Sequence, residues 1–198
     1  MGQRLLVRSK KRGAGSNGGV AVAAQPTCLS VFDTELGWFG LVGRGEIVMR
    51  LFLGQSTAEQ VRSAAARGAE PHTTDQPLPE SDWHPRLRRT IQDFARGIPT
   101  EFADVTVELG RATPFRQRVL RLARGIKYGR TATYGELAAK AGNRSAARAI
   151  GAVMASNPIP IIIPCHRVVA SGGSIGGFSA PQGVELKRRL LEMEAAAR

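Results

Sequence analysis

The chain has 198 residues, with 28 Lys and Arg against 16 Asp and Glu and a formal net charge of +12. That length supports one large or two small domains with a proper core, and no apolar run approaches the roughly 20 residues needed to span a bilayer. Neither an export signal nor a membrane segment is read, so the protein is expected in the cytoplasm; Cys28 and Cys165 make no disulfide framework, and the three histidines show no metal-ligand spacing, so no metal or cofactor is predicted.

The charge is uneven. Residues 111–198 hold 15 Lys and Arg against 4 Glu, whereas residues 13–110 hold 8 against 12 Asp and Glu. A basic half joined to a slightly acidic one points to a polyanionic partner for the C-terminal part, namely nucleic acid, with an ordinary solvated basic surface as the alternative.

In chain order, residues 1–25 combine basic residues with a Gly/Ser-rich stretch and are expected to form a flexible tail. From Cys28 to Leu53, short β-prone runs separated by Glu/Gly turns predict a three-stranded antiparallel meander. Ser56-Thr57-Ala58-Glu59 supplies an N-cap signal for a helix running to about Arg67. Residues 70–85 read as a loop, residues 86–96 as a helix with Leu87, Ile91 and Phe94 inward, and Thr106–Leu109 as a last strand. A domain boundary is placed near Gly110, giving a tail (1–25), an N-terminal domain (26–110) and a C-terminal domain (111–198).

Thr113-Pro114 opens a helix with Phe115, Val119, Leu122 and Ala123 inward. Thr133-Tyr134-Gly135-Glu136 starts a short helix, Gly142-Asn143 makes a turn, and residues 144–156 are predicted as a second helix, together a helix-turn-helix. The second helix carries Ala146, Ala147 and Gly151 among its small residues, and its only long polar side chains suited to base edges are Arg144 and Arg148. This composition favours shape-based docking with one inserted side chain; tight helix packing on an Ala/Gly face is the alternative. Next, Ile159-Pro160-Ile161-Ile162-Ile163 is predicted as a buried strand ending at Pro164-Cys165-His166-Arg167-Val168. A cysteine followed by a histidine and an arginine has the neighbours that make a thiolate nucleophile, although free cysteine is also a common core residue.

The ordered set Tyr128-Gly129, Thr133–Ala138, Ala141-Gly142, Ala146–Gly151, Asn157-Pro158 and Ile163–Val169 resembles the O6-alkylguanine-DNA alkyltransferases, the methylated-DNA–protein-cysteine methyltransferases. The likeness covers residues 28–194 and is most specific from Phe115 to Ser179. It implies an α/β (α+β) fold, with a ribonuclease-H-like sheet domain followed by a helical domain holding a winged-helix-like helix-turn-helix. It also implies direct reversal of O6-alkylguanine in DNA, the alkyl group passing once and irreversibly to Cys165, in a protein for which a monomer suffices and no cofactor is needed. By position, His166 is the base acting through a water, Glu194 the carboxylate orienting it with Glu192 as local rival, and Asn157 the hinge asparagine. Base flipping is implied, with Arg148 as the finger filling the vacated space, and Tyr134, Met154, Val168 and Ser179 as the residues receiving the base. Phe178, where a tyrosine is usual, and Ala180-Pro181, where glycines are usual, are departures; the second is expected to stiffen the lid and narrow tolerance for bulky alkyl groups. Three rivals are weighed. A non-enzymatic lesion-binding relative would carry tryptophan in place of Cys165, a sequence-reading regulator would need more base-reading side chains on residues 144–156, and a Cys-His hydrolase would need turnover.

Overall fold

The computed structural model describes residues 4–7, 25–67 and 77–197. Seven strands and six helices are assigned among them: β1 (Arg4–Val7), β2 (Cys28–Thr34), β3 (Gly37–Arg44), β4 (Ile47–Gln55), α1 (Ala58–Arg67), α2 (Pro85–Ala95), β5 (Thr106–Arg111), α3 (Pro114–Arg124), β6 (Ala132–Thr133), α4 (Tyr134–Lys140), α5 (Ala147–Ala155), β7 (Val168–Val169) and α6 (Gly183–Ala196). This is a mixed α+β architecture.

The meander forms where the sequence places it. β2 pairs antiparallel with β3 from Cys28↔Gly43 to Thr34↔Gly37, and β3 pairs antiparallel with β4 through Leu41↔Leu51. Thr34 closes the first hairpin, its hydroxyl donating to the Gly37 carbonyl at 2.8 Å and accepting from the Leu36 N–H at 3.1 Å. β4 then pairs in parallel with β5, so the sheet runs β1-β5-β4-β3-β2. α1 lays Val61 and Ala65 on Leu29 and Val42, while α2 buries Leu87, Ile91, Phe94 and Ala95 in the principal core.

Several expectations are corrected. Within the expected tail, Arg4–Val7 is a strand antiparallel to β5; Leu5-Leu6-Val7 is β-prone, and a sheet edge offers unpaired backbone groups that a short apolar segment satisfies. Residues 1–3 and 8–24 of that tail, and residues 70–76 of the loop, lie outside the described residues. Thr57 caps α1, accepting from Gln60 N–H at 3.2 Å, with the Gln60 side chain returning to the Ser56 N–H at 2.9 Å. Gly110 lies inside β5 at φ +63, so the last strand, expected over Thr106–Leu109, runs on to Arg111.

Ile159–Ile163 is not a strand but a buried series of turns. Pro158, Pro160 and Pro164 have no N–H to give a ladder, and the turn closes on itself through Ile162 N–H to Pro160 O and Ile163 N–H to Ile159 O, both 2.9 Å. Ile161 sits at φ +70, a costly conformation for a β-branched residue, which its full burial offsets. The second helix of the pair is also shorter than predicted, starting at Ala147. Residues 144–146 are a turn in which Asn143 Oδ1 accepts from the Ser145 N–H and hydroxyl, a local bond that competes with the helix ladder.

One continuous apolar core joins the sheet to the C-terminal helices, running from Phe39 and Leu51 through Phe94 to Leu137, Ile150, Ile159 and Leu190. Polar bonds pin the same junction: Leu51 N–H to Pro158 O (2.9 Å), Gln182 to the Gly54 carbonyl (3.1 Å) and Arg189 to the Glu35 carbonyl (2.8 Å). The segment carrying Cys165 is thereby fixed between the sheet and α6.

Candidate active site

Cys165 opens a single turn of 3-10 helix, Cys165–Arg167, at the end of the proline-rich turns. It is 6% exposed. Burial pushes its thiol pKa up; the Asn157 side chain, the Lys187 ammonium and the backbone N–H groups of Cys165 and His166 pull the other way by stabilising the thiolate. Asn157 also holds the turn itself, donating to Ile163 O at 2.8 Å and accepting from Ile159 N–H at 3.1 Å.

Because the three residues Cys165–Arg167 wind rather than extend, consecutive side chains fan out to different surroundings. His166 is fully buried, with Nε2 2.8 Å from Glu194 Oε1. Its Nδ1 is the buried ring atom with no protein partner among the described residues. Burial pushes the imidazole pKa down, against the pull of Glu194. Arg167 turns toward the same carboxylate, with Nε at 3.1 and 3.0 Å from its two oxygens and Nη2 at 2.9 Å, while Nη1 donates to Ile126 O. Gly129 N–H completes the set at 2.9 Å. Burial alone would raise the Glu194 pKa, but the bonds and charges of His166 and Arg167 outweigh it and hold the carboxyl low. Glu192, its sequence rival, is exposed.

The buried face of α6 consists of Leu186, Lys187, Leu190 and Glu194. Lys187 is a buried residue of the site that the sequence reasoning missed. Its ammonium donates to Val168 O at 2.6 Å and Gly177 O at 3.2 Å and lies 5.7 Å from the centre of the Tyr134 ring. Burial lowers its pKa to about 8, with the sulfur acting to raise it. The cation that acts on the thiol is therefore Lys187; Arg167 is spent on Glu194. The available signal was a lysine in register with Leu190 and Glu194 on an otherwise apolar helix stripe.

Above the thiol lies a cavity of about 650 Å³ whose wall includes Tyr134, Ala147, Arg148, Gly151, Met154 and Ser179. The capping box of α4, in which Thr133 and Glu136 bond reciprocally, sets where Tyr134 leaves the chain. A Cβ at Gly151 would make only ordinary van der Waals contact with the ring, 4.0 Å from Tyr134 Cε1. Gly176, at φ +74, brings the following loop against the tyrosine, and a Cβ there would stand 2.9 Å from its hydroxyl oxygen. Burial and the nearby sulfur both raise the Tyr134 pKa, so it remains a protonated donor. Met154 is buried beneath, and Ser179 is exposed on the loop. Val168 is fully buried, its carbonyl already accepting from Lys187 and keeping a second lone pair.

Arg148 is exposed on α5 at the cavity rim. Arg144 is exposed too, but stands in the turn before α5 and outside the cavity wall; Ala146 packs against the core rather than lining the cavity. Arg116 seats the far end of α5 by donating to Ser156 O at 2.6 Å.

Residues 114–196 match the family model described as the DNA-binding domain of 6-O-methylguanine DNA methyltransferase. A methylated-DNA–protein-cysteine methyltransferase of Mycobacterium tuberculosis is 37% identical over 162 residues, covering 82% of this chain and 88% of the relative. The crystal structure of the M. tuberculosis O6-methylguanine methyltransferase superimposes with a TM-score of 0.70 at 32% identity, covering 87% of this chain and 94% of that one. That protein's complex with DNA superimposes at 0.68, with 31% identity and coverages of 85% and 93%. Fold and site together define a helix-pair protein with a buried cysteine beneath a cavity of about 650 Å³. The chain belongs to the methylated-DNA–protein-cysteine methyltransferase family.

Proposed function

We propose that this protein repairs DNA by direct reversal, taking the alkyl group of O6-alkylguanine onto Cys165 in a single irreversible turnover. The observation that carries the proposal is the placement of Cys165 on the floor of a cavity walled by Tyr134, Gly151, Met154 and Ser179, with Arg148 at its rim. A cavity of about 650 Å³ is far larger than a methyl group requires and suits a whole base.

In the proposed reaction, a flipped guanine enters from α5. Arg148 fills the space it leaves, and Ala147 and Gly151 let the helix approach closely, with Ala146 and Arg144 along the approach. The base rests on Met154, the Tyr134 hydroxyl donates to a ring nitrogen, and Val168 O accepts from the exocyclic amine. A water joins the thiol to His166 Nδ1, a buried nitrogen without a protein partner among the described residues. His166, oriented by Glu194, takes the thiol proton through that water. The thiolate displaces the alkyl carbon from O6, forming C–S and breaking C–O. Ser179 supports the departing oxyanion, which regains a proton. Asn157 and Lys187 lower the cost of the thiolate meanwhile.

We further read the strands and helices up to residue 110 as a ribonuclease-H-like domain and residues 111–198 as a winged-helix-like domain. The β2–β4 meander and the α4–α5 pair beside the two-stranded β6–β7 ribbon support that reading. The partner is alkylated double-stranded DNA bound by one copy of the protein. No described helix is long and apolar enough to cross a membrane, which suits work on DNA in the cytoplasm.

The test is intact-mass measurement after mixing with a duplex bearing one O6-methylguanine, beside a Cys165→Ala control. Gain of one methyl on Cys165, with one guanine restored per protein, is expected. Tight binding without mass gain would leave a lesion-binding protein and overturn the proposal.

A further inference from the structure

A second cavity, of about 300 Å³, touches Cys165. It shares Met154, Ala155, Cys165, Phe178 and Ser179 with the base-sized cavity, but its remaining wall is different: Arg50 to Leu53 of β4, residues 156–158 with Pro160 of the active-site turns, and Ala180-Pro181. Its position beside the sulfur has a stereochemical meaning. In an in-line displacement, sulfur, carbon and O6 lie on one axis, so whatever else the carbon bears projects sideways from that axis. A base held in the first cavity directs such a substituent into the second.

Among the residues lining this second cavity, Arg50 carries the only formal charge. It is half-buried on β4, and its side chain makes no hydrogen bond or ion pair among the described residues, whereas Arg44, six residues earlier on the same β3–β4 hairpin, is ion-paired with Glu108 at 2.8 Å. The rest of the wall is mostly apolar (Phe52, Pro158, Pro160, Phe178, Pro181) and contains no acid. An arginine without a counter-charge among the described residues, in the wall of a small and mostly apolar cavity, matches a small carbon substituent that ends in a carboxylate.

We propose that Arg50, in the wall of this cavity, selects O6 substituents ending in a carboxylate, of which carboxymethyl is the smallest. This rests on Cys165 being the alkyl acceptor. The step balances as for methyl: the thiol proton leaves through His166, the S–CH2 bond forms, the CH2–O6 bond breaks with its electron pair staying on O6, guanine regains one proton, and the carboxylate remains on the new thioether. Arg50 is a positioning residue for the substituent and never touches the leaving oxygen.

The experiment measures single-turnover alkyl transfer by intact mass for the wild-type protein and Arg50→Gln on duplexes carrying O6-methylguanine, O6-carboxymethylguanine or its neutral isostere O6-carbamoylmethylguanine. Arg50→Gln is expected to slow carboxymethyl transfer roughly tenfold, the scale of one charge-assisted hydrogen bond in a partly wet site, and to leave the methyl and carbamoylmethyl rates within about twofold. Equal slowing on all three duplexes would mean that Arg50 serves DNA binding or the fold, and would overturn the proposal. So would unchanged rates on all three, or a wild-type protein that accepts methyl but not carboxymethyl. A wild-type protein that accepts no alkyl group at all would instead sink the parent reading of Cys165.

Discussion

Replacing Glu194 by glutamine tests the centre of the site with little change of shape. The carboxylate takes one contact from His166, three from Arg167 and one from Gly129 N–H, and both it and Arg167 are almost inaccessible, at 1% and 3% exposure. Glutamine offers one acceptor oxygen and places an N–H2 where the second was, so the buried guanidinium loses its counter-charge. Removing one partner of a buried ion pair costs about 3–5 kcal/mol. At about 2–4 °C per kcal/mol for a chain of this size, the melting temperature should fall by roughly 6–20 °C. The pH dependence is signed. The carboxyl is held below its ordinary value of 4.5, so its contribution is complete above that pH and is lost as pH falls through the folded-state value. Urea unfolding of both proteins at pH 7 and in steps below pH 4.5 should therefore show a gap that shrinks with acidification. A gap under about 1 kcal/mol at pH 7, or one that stays constant on acidification, would refute the account. Glu192→Gln, on an exposed position, should leave stability within about 0.5 kcal/mol.

Lys187→Met keeps much of the length but removes the ammonium that stabilises the thiolate. The pH–rate curve for alkyl transfer should move to higher pH, and an unmoved curve would show that the cation does not act on the sulfur. Because the folded-state pKa is about 8 against 10.5 ordinarily, wild type should gain up to about 3 kcal/mol of unfolding free energy relative to this variant as pH rises from 8 to 10.5, read by urea titration. Gly176→Ala forces a Cβ into the left-handed region and to 2.9 Å from the Tyr134 hydroxyl oxygen. Transfer should slow by roughly ten- to a hundredfold through misplacement of the tyrosine, with duplex affinity within about twofold; an unchanged rate would remove Tyr134 from the base-receiving set.

The local order of the chain was largely legible before any folding was considered. The meander, the ends of α2 and α3, the start of α4 at Thr133–Glu136 and the candidacy of Cys165 all follow from turn residues, caps and period, which act over a few neighbours. Some of the misreadings were local contests won by another local force. Prolines with Asn157 defeated the strand at Ile159–Ile163, and Asn143 with Ser145 delayed the start of α5. Other features had no local signature at all. Glu194 and Glu192 lie on one helix two residues apart, yet only the packing of α6 against the Cys165–Arg167 turn buries one and exposes the other. The same packing carries Lys187 to the sulfur from 22 positions along the chain and diverts Arg167 to Glu194. β4 brings Arg50 to the thiol's second cavity from more than a hundred residues away. The sequence by itself determined which chemistry was on offer, because nucleophile, base and carboxylate are residue types. Which of them meet, and in what state of charge, was decided by the tertiary structure, since burial and distance govern a pKa and neither is a property of one segment.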